Sequence, residues 1–459
     1  MVHEINDGPS NEEPNTEPLG RLSILSYGSG HMLNDITSSC WFTYLLLFLT
    51  DVGLSPSNAA IVMLSGQVAD AFTTIFVGEL IDRFGHFKLW HAGGSILVAV
   101  SFSSVFGGCV PCKLLNSDSS SLETIGYSVF AAIFNVGWAI TQVSHMAMVN
   151  CITSNPTSQV SLASCRNAFT MVANLGLYAI ALAVFTVFNN TESVNIMLEY
   201  RWIAYLSIFL GSCFVVVFLI GTKEPQLKKQ MQSKNVCRIS WAHWFKKTLY
   251  YQVALVYTLT RLITNVSQSL LAFYVMNDLG MAPSSKASVP AIIYICSFII
   301  SVVLQEMKWS SWRIKSFFSI GAILWIFSGA GIFVLPSTLH YFMYALSVAI
   351  GAANALMTVT AISMESILVG EDLNGCAFVY GSLSFADKLS WGIALYALES
   401  YQVTPDVKSN CFLGITHSIP RLGLGLLPSV CAFISIVVTY TMDLQHRRSR
   451  RLIEEPLLS

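Results

Sequence analysis

Charge is what this sequence has least of. Of its 459 residues only 11% are Asp, Glu, Lys or Arg, against about 25% in water-soluble domains, so an ordinary solvated surface is excluded. The chain also lacks His and Cys at metal-ligand spacing and a nucleophile set beside a base. It has no basic stripe of the kind that tracks a phosphate backbone. No metal, cofactor, catalysed reaction or nucleic acid is therefore expected. The net charge of −1 selects no partner either.

What the chain has instead is apolar length. Its mean hydropathy is +0.59, and runs of about 20 residues, enough to span a bilayer core, recur throughout. They lie near 24–49, 59–82, 91–109, 126–150, 166–188, 202–221, 248–276, 287–307, 316–335, 340–368, 376–399 and 420–442. Residues 1–22 hold Glu4, Asp7, Glu12, Glu13 and Glu17 among Pro and Asn, too acidic for a signal peptide. They read as a disordered cytosolic tail.

The cations fix an orientation. Residues 223–247 carry Lys223, Lys228, Lys229, Lys234, Arg238, Lys246 and Lys247, and the tail 444–459 adds Arg447, Arg448, Arg450 and Arg451. The opposite side has few, among them Lys113, Lys286 and Lys408. The positive-inside rule puts both termini and the long central connection in the cytosol. That connection separates an N-terminal six-helix half, 23–222, from a C-terminal one, 248–443. The expectation is an all-α membrane protein of twelve helices, on the parallel-repeat plan of major facilitator transporters, with a solute site at mid-depth between halves. One chain supplies the whole path, so a monomer in the lipid bilayer is expected.

Most of the eleven cysteines fall inside helices, as small buried hydrophobes do. Cys109, Cys112 and Cys411 fall on the non-cytosolic side, where an oxidising lumen would allow a disulfide. Asn189 begins an Asn-Asn-Thr sequon on that same side and is the expected glycosylation site. A second sequon, at Asn265, lies within a helix.

Two groups of polar residues stand out from this background. Gly78, Asp82, Arg83, Gly85 and Lys88 form GxxxDRxGxxK in the expected cytosolic turn between the second and third helices. There the acid and base would bond helix ends across a gate, and the glycines would let the chain turn. The equivalent turn of the second half, MKWSSWRIKSF, keeps only Arg313 and Lys315. Deeper in the helices lie Asp35, Asp70, Arg166, Arg261, Asp387, Lys388 and His145. A charge at membrane depth is costly and faces a cavity or a partner. For Arg261 and Asp387, a structural ion pair and a working site are both open readings.

The stretches GHMLNDITSSCWFTYLLLFL, GQVADAFTTIFVG, GWAITQVSHMAMV, CRNAFTMVANLGLY, YYQVALVYTLTRLITNVSQSLLAFY and GCAFVYGSLSFADK resemble the major facilitator superfamily domain-containing protein twelve family. That family sits in the glycoside–pentoside–hexuronide:cation symporter group, whose best-known member is the melibiose carrier. The resemblance implies a secondary transporter, most plausibly importing cysteine into lysosomes or pigment organelles. Sugar or lysolipid symport, or a non-transporting scaffold, are the alternatives. The tail end RRLIEEPLLS only partly fits an acidic-dileucine sorting signal.

By the same resemblance Asp35 and Asp70 match carboxylates that serve sugar and cation, Arg166 an arginine at the ligand, and Lys388 a lysine near the cation site. Thr74 and Gln142 stand where the melibiose carrier has further carboxylates. A sodium site of several carboxylates is thus largely dismantled. Asp70 with a nearby histidine suits a co-transported proton better, since hard cations want several oxygens. A zwitterion would place its carboxylate on Arg166 or Arg261 and its ammonium on Asp35 or Asp70.

Overall fold

The computed structural model describes residues 19–108, 119–153, 156–188, 196–223, 244–305, 307, 310–369, 376–400 and 418–444. Cys109, Cys112, Cys411 and Asn189 lie outside them. Among the described residues every regular element is helical. The N-terminal half holds α1 (Arg21–Ser29), α2 (Met32–Val52), α3 (Pro56–Phe84), α4 (Phe87–Phe106), α5 (Ser120–Ile152), α6 (Pro156–Phe188) and α7 (Ile196–Gly221). The C-terminal half holds α8 (Thr248–Phe273), α9 (Ser285–Gln305), α10 (Ser311–Val334), α11 (Phe342–Val369), α12 (Cys376–Ser400) and α13 (Leu427–Thr441). A π-turn, Tyr274–Asp278, extends α8, and another, Leu422–Leu426, leads into α13. With α1 and α2 taken as one broken crossing, the described residues hold twelve.

The break in the first crossing departs from the continuous helix read over 24–49. At Gly30 a Cβ would lie 2.6 Å from the Phe218 ring, so only glycine permits this approach. The Gly30 carbonyl meets His91 Nε2 at 2.9 Å. Hydropathy also undershoots several ends. α5 starts at Ser120 and α6 at Pro156, because their polar end turns remain helical beyond the apolar run. Starts are marked by capping chemistry: Ser55 Oγ accepts from the Asn58 amide at 3.2 Å, with Pro56 next to it.

Among the described residues, nine helices are long and apolar enough to cross a membrane by length and composition alone. The three long ones that miss that standard are α2, α8 and α12, which carry Asp35, Arg261, and Asp387 with Lys388. Large apolar side chains such as Phe76, Ile96, Phe209, Ile220 and Phe433 point outward and stand exposed, the reverse of a soluble surface and suited to lipid.

Within the N-terminal half α5 packs on α3 and α4, and in the C-terminal half α11 packs on α9 and α10. The halves meet through α3 on α12, α6 on α9, and α2 on α8. Several bonds between them lie at the face opposite the termini. Ser57 and Ser400 hydroxyls are 3.3 Å apart, and Tyr44 donates to the Lys286 carbonyl at 3.2 Å. The second has a simple origin. Pro290, inside α9, has no N–H for the carbonyl four residues back, and Tyr44 from the other half supplies the missing donor.

The GxxxDRxGxxK segment corrects its own expectation. α3 continues to Phe84, so Gly78, Asp82 and Arg83 are helical and only Gly85 and His86 turn. Gly85 has φ +65° and its amide closes the helix on Ile81 at 2.8 Å. A Cβ on Gly78 would come no closer than 4.0 Å to Val143, so no turn or tight contact calls for glycine there.

Candidate functional site

Three polar groups occupy the middle of the bundle. The first lies inside the N-terminal half. His31 and Asp35 are one helical turn apart across the α1–α2 break, and Nδ1 meets Oδ1 at 2.8 Å. Thr170 on α6 donates to the other carboxylate oxygen at 2.7 Å, and Arg166 Nη2 is 3.3 Å from His31 Nε2. His145 stacks on Tyr27 with ring centres 4.2 Å apart, and its Nε2 is 2.8 Å from the Tyr27 carbonyl. Asp35 and His31 are buried; Arg166 is half-buried.

The second group bridges the halves. Lys388 on α12 donates to Asp70 Oδ1 at 2.7 Å and to Thr74 Oγ1 at 2.9 Å, and Thr74 donates to the Asp70 carbonyl at 2.9 Å. Asp70 is 1% exposed and Lys388 7%, so each charge depends on the other. Of the two expectations for a charge at this depth, a cavity or a partner, Asp70 meets the second. It belongs to a buried ion pair across the half interface.

The third group lies in the C-terminal half. Arg261 Nε donates to Asp387 Oδ2 at 3.2 Å, and Asn265 Nδ2 to Oδ1 at 3.4 Å. Asp387 is buried, yet the Arg261 side chain is 36% exposed. The opening it faces is a cavity of about 510 Å³. Asn167, Met171 and Asn174 of α6 form one wall, and residues of α8, α9, α10 and α11 the others. It runs toward the termini face as far as Leu304 on α9 and Ser363 on α11. Arg261 is the one charged residue on its walls among the described residues; the polar remainder is amide and hydroxyl, including Thr264, Gln268, Ser297 and Asn354. Trp325 Nε1 holds the Asn354 oxygen at 2.9 Å.

The sequence-derived candidates therefore divide. Asp70, Thr74 and Lys388 come together, as do Asp35 and Arg166, with His145 packed behind them. Arg261 stands apart on the cavity wall. Gln142 is half-buried on α5 and makes no hydrogen bond to these groups among the described residues. Neither Asp35 nor Asp70 lines the cavity, so the expected open carboxylate for an ammonium is not there in this arrangement. The backbone of Asp82 and Arg83 is helical; Lys88 Nζ donates to the Thr222 carbonyl at the end of α7 at 2.8 Å.

Sequence reasoning missed His31, although its spacing of four from Asp35 was a signal that the two share a helix face. It also passed over Lys286 as one stray cation. Lys286 is buried at the face opposite the termini. Its Nζ is 4.0 Å from Glu199 Oε2, 3.5 Å from the Tyr200 hydroxyl and 4.2 Å above the Phe185 ring. No group of three or more His, Cys, Asp or Glu suited to a metal occurs among the described residues.

Comparison with known proteins agrees with the architecture. The family described as MFS/sugar transport protein matches residues 26–446. Major facilitator superfamily domain-containing protein 12 of Homo sapiens is 32% identical over 423 residues, covering 85% of this chain and 87% of that protein. The glucuronide carrier protein homolog of Escherichia coli (strain K12) is 20% identical over 460 residues, 96% of each chain. Among solved structures a D-xylose-proton symporter superposes with a TM-score of 0.67 over 90% of this chain and 96% of its own, at 12% identity, a likeness of fold. The chain belongs to the MFS/sugar transport protein family, and it is a multi-pass membrane transporter, not an enzyme.

Proposed function

We propose that the protein carries a small zwitterionic solute across its membrane by alternating access. Cysteine, imported into lysosomes or lysosome-related pigment organelles, is the case the family resemblance implies. The supporting observation is the wall of the cavity. Arg261 keeps its charge at any working pH, and Asp387 holds one edge of the guanidinium while the rest of the side chain meets the opening. A carboxylate entering there finds a cation already oriented, among amide and hydroxyl groups that suit the remainder of a small polar solute.

The charge asymmetry of the sequence supports cytosolic termini. The cavity then faces the cytosol, and the bonds at Ser57–Ser400 and Tyr44–Lys286 close the lumenal side. Rocking of the halves about α3–α12 and α6–α9 would exchange the two exposures.

A second reading has its own support. A wall with one cation and no carboxylate also suits an anionic, hydroxyl-rich solute, and a relative carries the name glucuronide carrier protein homolog. Purified protein in proteoliposomes, offered radiolabelled cysteine and a radiolabelled glucuronide in parallel, separates the two. Saturable cysteine uptake is expected. Uptake of the glucuronide alone would replace the zwitterion with the acid sugar, and movement of neither solute would sink both.

A further inference from the structure

His31 offers its two neighbours what an amino acid would offer them. Arg166 can only donate, so His31 Nε2, 3.3 Å from its Nη2, is the accepting nitrogen. The ring proton then sits on Nδ1 and is given to Asp35 Oδ1 at 2.8 Å. A neutral imidazole thus presents an acceptor to the arginine and a donor to the carboxylate. The carboxylate and ammonium of a zwitterion present the same pair.

The placement allows exchange between the two. Arg166 and Thr170 lie on the stripe of α6 next to Asn167, Met171 and Asn174, which line the cavity. Ser39, one turn beyond Asp35, is hydrogen-bonded to Asn174. The Arg166–His31–Asp35 row is therefore one layer of side chains behind the wall. Arg166 Nε is buried there with no hydrogen-bond partner, an unmet donor on the residue that would take a carboxylate.

The surroundings leave His31 as the group on which a proton would act. Asp35 faces it from α2 and Arg166 from α6. His145, on α5, has its ring centre 5.3 Å away, and His91, on α4, lies 5.7 Å from His145. Tyr27, on α1, stacks on His145. The Nε2 atoms of His145 and His91 are held by the carbonyls of Tyr27 and Gly30. Each ring spends its Nε2 proton in that bond, and each Nδ1 is buried with no hydrogen-bond partner among the described residues, so nothing there would hold a second proton and a charge beside His31.

We propose that His31 is an internal stand-in for the solute, closing the Arg166–Asp35 pair when that pair is empty and yielding it to a zwitterion passed inward from its first contact at Arg261 on the cavity wall. The proposal rests on the zwitterion reading above. A proton on Nε2 breaks the bond from Arg166, repels the guanidinium and turns the Asp35 contact into a charged pair. Asp35 is then closed to the solute's ammonium. Proton and solute exclude each other, so the cycle exchanges one for the other, in contrast to the co-transport expected from Asp70. Release into an acidic compartment is favoured.

Binding of radiolabelled cysteine to the purified full-length protein tests this at about pH 7.5 and about pH 5.5, a range that spans histidine titration but leaves the solute zwitterionic. Wild-type affinity should fall with pH, by at most about tenfold per unit for one competing proton. His31→Gln, whose amide still offers one donor and one acceptor, should bind equally at both pH values. His31→Ala, lacking the competitor, should bind more tightly than wild type at the higher pH and lose the pH dependence. 3-Mercaptopropionate, which has no ammonium, should displace the label no less well at the lower pH. A flat wild-type profile would overturn the proposal, as would wild-type pH dependence surviving in His31→Gln. So would weaker binding by a His31→Ala protein that melts like wild type. If the alanine variant does not fold, the glutamine variant decides alone. Binding of a glucuronide but not cysteine by wild type would remove the zwitterion reading itself, and this proposal with it.

Discussion

Lys88 and Lys315 occupy the same place in the two halves and make the same bond. Lys88, at the start of α4, donates to the Thr222 carbonyl just beyond α7; Lys315, in the first turns of α10, donates to the Met442 carbonyl just beyond α13, at 2.5 Å. A helix end leaves carbonyls unmet, and one lysine suffices to satisfy such a group. Apart from Arg313, the pattern around Lys88 has no counterpart around Lys315. The shared geometry therefore preserves a helix-end bond, while Asp82 and Gly85 answer to a requirement of the first half alone. Membrane-depth charge diverges further. The first half shuts Asp35 and Arg166 into a row with His31, whereas the second turns Arg261 toward the cavity.

The largest test of this contrast lies at the joint between halves. Lys388→Ala leaves Asp70 buried without its cation and should cost about 3–5 kcal/mol, read by denaturation of the purified protein. Lys388→Met combined with Asp70→Asn should be more stable than Lys388→Ala, because no uncompensated charge remains. Strict additivity of the single changes would mean that the two residues are not coupled.

A smaller effect is expected on the cavity wall. Arg261→Lys keeps a cation for Asp387 but loses the planar fork. It should raise KM for a carboxylate-bearing solute about tenfold, the equivalent of about 1.4 kcal/mol, with little change in maximum rate. A loss of rate at constant KM would assign Arg261 to the moving parts instead of solute binding.

The smallest effects should come from the matched lysines. Lys88→Met and Lys315→Met should each cost about 0.3–1 kcal/mol, the usual worth of a cation at a helix C-terminus. Equal shifts in melting temperature would support the equivalence of the two bonds. A clearly larger loss at Lys88 would show that the intact motif gives that lysine a further task.

Much of the architecture was legible before any coordinates. Membrane helices write themselves as apolar runs, and the long helices of the described residues lie over the runs read from the sequence, although α2, α8 and α12 are less apolar than the other nine. Their ends were less legible, since the polar first turns of α5 and α6 look like loop to a hydropathy window. The break at Gly30 was hidden because it answers to Phe218, almost two hundred residues away. Single charges such as Asp70 and Arg261 announced themselves by their expense in lipid. Their pairing did not, because Asp70 with Lys388, and Arg261 with Asp387, are choices made by tertiary packing between adjacent candidates. His31 escaped attention for a different reason. A histidine near a helix start looks ordinary until Arg166 is seen on its other nitrogen.

The proline in α9 has a consequence for how the carrier rests. Its missing amide is replaced by the hydroxyl of Tyr44, which belongs to the opposite half and leaves when the halves part on that side. The helix is then complete in one facing of the carrier and one donor short in the other. Exchanging that bond for water on the opened side costs the net worth of one hydrogen bond, about 0.5–1.5 kcal/mol, a bias of about two- to thirteenfold in population. A residue usually described as a helix breaker would thus act as a counterweight, holding the idle carrier toward the termini-side opening until solute takes over the vacant carbonyl.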